Sequence, residues 1–72
     1  MKLSDVKLND ILMRYEKHQP VMYKVNGLMA DGSQIFFQRY YGKKDAIRFT
    51  MSKIYTQMKS SFGKTKWLKL NG

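Results

Sequence analysis

Few side chains in this 72-residue sequence could act as acids, bases or nucleophiles. There is one histidine, His18, together with five acidic residues and no cysteine. His18 lies close to Pro20 in a polar turn, and the acidic residues fall at predicted helix starts, in a turn or on a helix surface. The glycines match neither a dinucleotide fingerprint nor a phosphate-binding loop. The sequence therefore predicts no enzyme, no cofactor or metal site and no small-molecule substrate.

Aromatic and basic side chains point instead to a binding surface. Phe36 and Tyr40 are predicted on one face of a sheet, with Trp67 available from another strand and lysines around them. Stacking of a base on such a ring contributes ~1–3 kcal/mol, and lysine neutralises phosphate. If a helix packs on this face instead, the same rings belong to the core. The residues predicted for this surface are Lys24, Phe36, Tyr40, Trp67 and Lys69.

Two further groups of cations could contact phosphate. One runs from Arg39 to Lys44 and on to Arg48, around a predicted helix N-terminus whose backbone amides favour an anion. The other lies near the C-terminal end. Each also has a simpler explanation, a solvated turn for the first and protection of an edge strand for the second. The cations predicted to contact phosphate are Lys43, Lys44, Arg48, Lys64 and Lys69.

The charge balance favours an anionic partner. Fourteen lysines and arginines against five acidic residues give a net charge of +9, and residues 46–72 contain no acidic residue. A field of one sign attracts nucleic acid, and it also attracts an acidic protein. Solubility is the simpler explanation for such a charge.

Composition also bears on domain number and compartment. The sequence has no cysteine, no signal-like apolar segment at its start and no apolar run approaching about 18 residues. We expect a single domain over residues 1–72 in the cytoplasm, without a membrane span. A homodimer is compatible with the sequence.

Apolar spacing predicts a helix at the start of the chain. Ser4 can cap it, Asp5 lies in its first turn, and Pro20 follows its end. We therefore expect a helix from about residue 5 to 17. The apolar residues on its buried face are Leu8, Ile11, Leu12 and Tyr15.

A β-hairpin is predicted within residues 21–41, because Asp31-Gly32 separates two β-rich segments. A three-residue loop with Gly32 in a bulge pairs Val25 with Phe37 and Lys24 with Gln38. This register places most of the apolar residues on one face of the hairpin and places Phe36 and Tyr40 on the other face. The apolar face contains Val21, Tyr23, Val25, Ile35, Phe37 and Tyr41, with Arg39 as the exception.

A second helix and a third strand complete the prediction. Asp45 can start the helix and Gly63 can end it, and Lys66 to Leu70 alternate as a short strand, parallel or antiparallel to its neighbour. The predicted fold class is α+β in the order α-β-β-α-β, a three-stranded sheet built on the hairpin with two amphipathic helices. The helical spacing involves Ile47, Met51, Ile54, Tyr55, Met58 and Phe62.

The hairpin followed by Lys43-Lys44-Asp45-Ala46-Ile47 resembles the small three-stranded DNA-binding domains of integrase arms. Those domains place three strands before the helix, whereas the third strand here is predicted after it, so no family is assigned. We predict a small basic nucleic-acid-binding domain, of a size and charge typical of accessory proteins of phages and mobile elements. The alternative is an accessory factor or inhibitor that docks a basic and aromatic face on an acidic protein.

Overall fold

The computed structural model describes residues 1–45 and 52–70. In these residues helical structure is limited to 3₁₀ turns at Leu3–Asp5 and Lys43–Asp45 and to one short helix, α1 (Lys59–Lys64). The remaining elements are strands, so the described chain is mainly β. They are β1 (Ile11–Glu16), β2 (Gln19–Leu28), β3 (Gln34–Arg39), β4 (Ile54–Met58) and β5 (Leu68–Lys69).

The strands form one antiparallel sheet in the order β4-β3-β2-β1-β5. The first four strands follow each other as a meander, and β5 returns to pair with β1 at the far edge. The predicted three-stranded sheet with two amphipathic helices is therefore wrong. The third predicted strand does exist as β5, and its pairing is antiparallel.

The predicted first helix is replaced by β1. Asn9 has a φ of 72°, which interrupts a helix just before this segment. The apolar residues of β1 fit an alternating pattern as well as a helical one. Pairing with β2 buries Leu12 on the inner face and turns Ile11, Met13 and Tyr15 to the outer face. A two-residue turn at Lys17 and His18, both with positive φ, joins the two strands. Neither residue type is typical of such a turn, so the hairpin was not predicted.

The β2–β3 hairpin is confirmed at the pairs that build the core. Val25 pairs with Phe37, and Gly32 has the expected positive φ of 74°. The register arises differently, because the bulge lies between Val25 and Gly27 rather than at the turn. The connection between the strands also spans residues 29–33 rather than three residues.

The predicted second helix is replaced in part by β4. Tyr55 pairs with Phe37 of β3. Ile54, Tyr55 and Met58, which were expected on one helical face, therefore lie in a strand and are divided between the two faces of the sheet. Ile, Tyr and Thr favour strands, and here pairing with β3 outweighs the helical spacing. Gly63 lies inside α1 and does not end it. Residues 46–51 lie outside the described residues, together with that part of the predicted helix.

One face of the sheet, the inner face, carries the core, and the other is called the outer face. Trp67, just before β5, donates a hydrogen bond from Nε1 to Oε1 of Gln57 in β4 at 3.1 Å, so the two edges of the sheet approach each other. Phe62 of α1 completes this core. The buried apolar residues are Leu3, Val6, Leu12, Val21, Tyr23, Val25, Ile35, Phe37, Phe62 and Trp67.

Candidate functional site

Trp67 does not join the predicted stacking surface. Its side chain is 3% exposed and lies on the inner face, with ring centroids 5.4 Å from Phe37 and 5.8 Å from Phe62. Phe36 points to the opposite side of the sheet, since it neighbours Phe37 in β3. A platform that combines Phe36, Tyr40 and Trp67 is therefore not formed.

Phe36, Tyr40 and Lys24 do share the outer face. The Lys24 Nζ lies 6.0 Å from the ring centroid of Tyr40. Phe36 is half-buried, and its ring covers Gly27 of β2, where an added Cβ would lie 3.3 Å from Phe36 Cδ2. Much of the Phe36 ring is thus occupied by its own sheet rather than offered to a ligand.

The predicted phosphate-binding cations fall into different environments. Lys43 and Lys44 are exposed in the 3₁₀ turn after β3, and Lys64 is exposed at the end of α1. Arg48 lies outside the described residues. Lys69 has a structural partner, because its Nζ lies 3.3 Å from Oδ2 of the buried Asp10. It also donates to the backbone oxygen of Asp5 at 3.3 Å, so it ties β5 to the first turn of the chain.

A different aromatic and basic surface lies where β3 ends and β4 begins. We call it the rim site and define it as Arg39, Tyr41, Lys53 and Tyr55. The guanidinium carbon of Arg39 lies 5.2 Å from the ring centroid of Tyr41, and Lys53 Nζ lies 5.6 Å from that of Tyr55. Continuing the β3–β4 register by one residue places Lys53 opposite Arg39. Two cation–π pairs therefore lie side by side.

Tyr55 is held from behind by the core. Its ring stacks on Phe37 with centroids 6.2 Å apart and an interplanar angle of 15°, and it meets the edge of Tyr23 at 5.7 Å. The side chain nevertheless remains partly accessible, because the residue is 37% exposed. The core thus fixes the orientation of a ring that remains accessible, which is what a stacking contact requires.

A polar cluster borders the rim site on the inner face. Glu16 Oε2 accepts hydrogen bonds from the Tyr23 hydroxyl at 2.6 Å and from Arg14 Nε at 2.7 Å. The Arg14 guanidinium also lies over the rings of Trp67 at 4.8 Å and Tyr23 at 5.1 Å. Arg14 is therefore committed to this cluster, and its charge is largely balanced by Glu16.

Burial and hydrogen bonding in this cluster shift the pKa values of Arg14, Glu16 and Tyr23. The bond from Tyr23 lowers the pKa of Glu16; partial burial opposes this, and the charges of Arg14 and Arg39 add to the lowering. Burial raises the pKa of Tyr23, and its bond to Glu16 acts in the same direction. Arg39 pairs with Tyr23 in the β2–β3 register, which places its side chain on the inner face of the sheet.

The sequence contained part of the signal for the rim site. The run from Arg39 to Lys44 was singled out for its cations, and Tyr41 was assigned to the apolar face. The other half was missed, because Lys53 and Tyr55 were placed in a helix, where they do not meet Arg39. Only the pairing of β4 with β3 brings the two halves together.

The described residues show neither a metal site nor a membrane-spanning helix. Within residues 1–45 and 52–70, no group of three or more His, Cys, Asp and Glu side chains is placed to hold a metal ion. No helix in this part of the chain is long and apolar enough to cross a bilayer. Comparison with known proteins found no matching family model, no matching curated protein and no matching solved structure.

Proposed function

We propose that this chain is a small nucleic-acid-binding domain and that its rim site binds a single strand. The observation that carries the proposal is the Tyr55 ring, which stacks on Phe37, remains 37% exposed, and has Lys53 Nζ 5.6 Å from its centroid. Aromatic rings beside cations are the usual components of single-strand sites, since bases stack on the ring and cations meet the phosphates.

The cations of the rim site are suited to exchange partners. Lys53 and Arg39 are exposed, and each lies over a tyrosine ring without an ion pair among the described residues. A base that stacks on Tyr55 displaces the Lys53 ammonium from the ring. The flexible lysine chain then reaches a neighbouring phosphate, so the cation–π contact is replaced by a charge-assisted one.

The arrangement favours a single strand over a duplex. In a duplex each base is stacked on its neighbours, and its faces are hidden from side chains, whereas an unpaired base can leave the stack. Lys43 and Lys44, exposed just beyond Tyr41, extend the positive surface along which a strand backbone would run. Lys64 remains a proposed phosphate contact. Trp67 and Lys69 are left out, because the core and Asp10 occupy them.

The test measures binding of a fluorescein-labelled single-stranded oligonucleotide of mixed sequence by anisotropy at low salt. Tyr55→Ala should weaken binding by ~1–3 kcal/mol, because it removes the stacking ring. Tyr15→Ala is the matched control, since Tyr15 is 66% exposed but lies on the outer face, away from the rim site. It should leave the affinity unchanged.

Salt dependence provides a second measurement on the same complex. Lys53→Gln should reduce the slope of log affinity against log salt by about 0.7, the contribution of one phosphate contact to a single strand. The same oligonucleotide annealed to its complement should bind more weakly. Absence of binding at low salt, or equal weakening by Tyr15→Ala and Tyr55→Ala, would contradict the proposal.

A further inference from the structure

The two edges of the sheet differ in length and in charge. β5 is two residues long and includes Lys69, whereas β4 is five residues long and contains neither a charged residue nor proline. Exposed edge strands are usually protected by charge, proline or shortness, because their free backbone groups can pair with another strand. β5 has such protection and β4 does not.

The hydrogen-bonding pattern shows which backbone groups of β4 face the open edge. The amide of Lys59 donates to the Ser33 oxygen at 2.9 Å, so these two residues form a hydrogen-bonded pair. Such pairs alternate along an antiparallel ladder, which makes Tyr55 and Gln57 the residues bonded to β3. The N–H and C=O groups of Ile54 and Thr56 and the N–H of Met58 therefore point away from β3, whereas the C=O of Met58 begins the hydrogen bonding of α1.

Within residues 1–45 and 52–70 these outward groups are unpaired. No backbone or side-chain hydrogen bond satisfies them among the described residues. The side chains of two of these residues are also accessible, since Ile54 is 56% and Met58 51% exposed on the outer face. A strand laid against this edge would gain a backbone ladder and two apolar contacts.

We propose that the β4 edge receives an extended segment of a partner protein, with apolar residues in alternation and acidic residues at both ends. The charge of the flanks specifies this partner, because exposed Lys53 and Lys59 bracket the uncharged strand. A second copy of the chain is disfavoured for the same reason. Antiparallel pairing centred on Thr56 sets Lys53 of one copy against Lys59 of the other, and like charges across a ladder repel.

The experiment uses the full chain and a capped nine-residue peptide, five alternating Val and Thr residues with two glutamates on each side. Binding is followed by amide hydrogen exchange. We expect the exchange of the Ile54, Thr56 and Met58 amides to slow, because these groups enter a new ladder. A peptide with lysines in place of the glutamates should bind roughly tenfold more weakly or worse. Unchanged exchange at these amides, or equal binding of the two peptides, would overturn the proposal.

Thr56→Pro separates the edge from the rim site. Proline removes an N–H that points to the open edge and leaves the bonds to β3 intact, so the fold should persist. Peptide affinity should fall roughly tenfold, whereas Thr56→Ala, which keeps the N–H, should preserve it. Oligonucleotide binding should survive in both variants, because the Tyr55 ring lies on the inner face. Undiminished peptide binding by a folded Thr56→Pro variant would refute the edge as the docking site, and amide exchange in the unsubstituted chain decides the question if that variant does not fold.

Discussion

Neighbouring phenylalanines in β3 meet opposite surroundings on the two faces of the sheet. Phe37, on the inner face, has ring contacts with Tyr23, Tyr55 and Trp67 at centroid distances of 5.0–6.2 Å. Phe36, on the outer face, covers a glycine and remains half-buried. The inner rings support one another, and the outer ring shields backbone. The face on which a ring lies, not its residue type, thus decides whether it joins the core or covers backbone.

Trp67→Ala should have the largest effect on stability of the changes considered, because it leaves a cavity among the inner rings and removes the surface on which Arg14 lies. Truncation of a buried aromatic residue typically costs ~3–5 kcal/mol. Phe36→Ala, on the outer face, should cost clearly less. The free energy of unfolding from urea denaturation compares the two. Equal losses would mean that the outer face is covered as closely as the inner one.

Gly27→Ala tests the contact between Phe36 and the backbone on the outer face. The added Cβ would lie 3.3 Å from the ring, so Phe36 must shift, and we expect a loss of about 1 kcal/mol. Gly63→Ala is the control, since a Cβ there meets nothing within 4 Å and the residue lies in a helix. It should raise stability by about 0.5–1 kcal/mol. Thermal denaturation of both variants distinguishes the two cases.

The smallest effect is expected from the polar cluster on the inner face. The pKa of Glu16 is lowered in the folded protein, so ionised Glu16 stabilises the fold. This stabilisation is complete above the pKa of the unfolded chain, about 4.3, and is lost as the pH falls through the pKa of the folded protein. Glu16→Gln should therefore flatten the fall of the melting temperature below about pH 4. The pKa of Asp31 is also lowered, so some acid sensitivity remains. If the melting temperature of Glu16→Gln falls below about pH 4 as steeply as that of the unsubstituted protein, the cluster has no role in stability.

The sequence predicted the central hairpin because its signals agree there. Asp31-Gly32 marks a turn, and alternation assigns Tyr23, Val25 and Phe37 to one face. The structure places all three in the core. The bulge after Val25 could not be predicted, because it depends on how Phe36 packs on Gly27.

Strands β1 and β4 were mistaken for helices for a physical reason. Leu8, Ile11, Leu12 and Tyr15 have helical spacing, but β1 also alternates, and only the neighbouring strand decides between the two periods. The same ambiguity affected β4. Only the Arg39 and Tyr41 half of the rim site could consequently be found from the sequence. The other half depends on the pairing of β4 with β3, which local sequence patterns do not encode. The sequence singled out the cations from Arg39 to Lys44, but it did not place Lys53 and Tyr55 beside them.

The pairing of the first strand with the last has a consequence for chain connectivity. The Leu70 amide donates to the Ile11 oxygen at 2.8 Å, and Lys69 reaches Asp5, so segments at opposite ends of the sequence lie side by side. A circular permutant that links these ends and opens the chain between Lys17 and His18 would keep every ladder. The β1–β5 pairing would become local in the sequence, whereas the longer β1–β2 ladder would become the most distant one. In the natural order β1 and β5 are the paired strands with the largest sequence separation, and pairing between distant segments is slow. The slow step of folding in the natural order is therefore expected to be the docking of β5, not the formation of either hairpin.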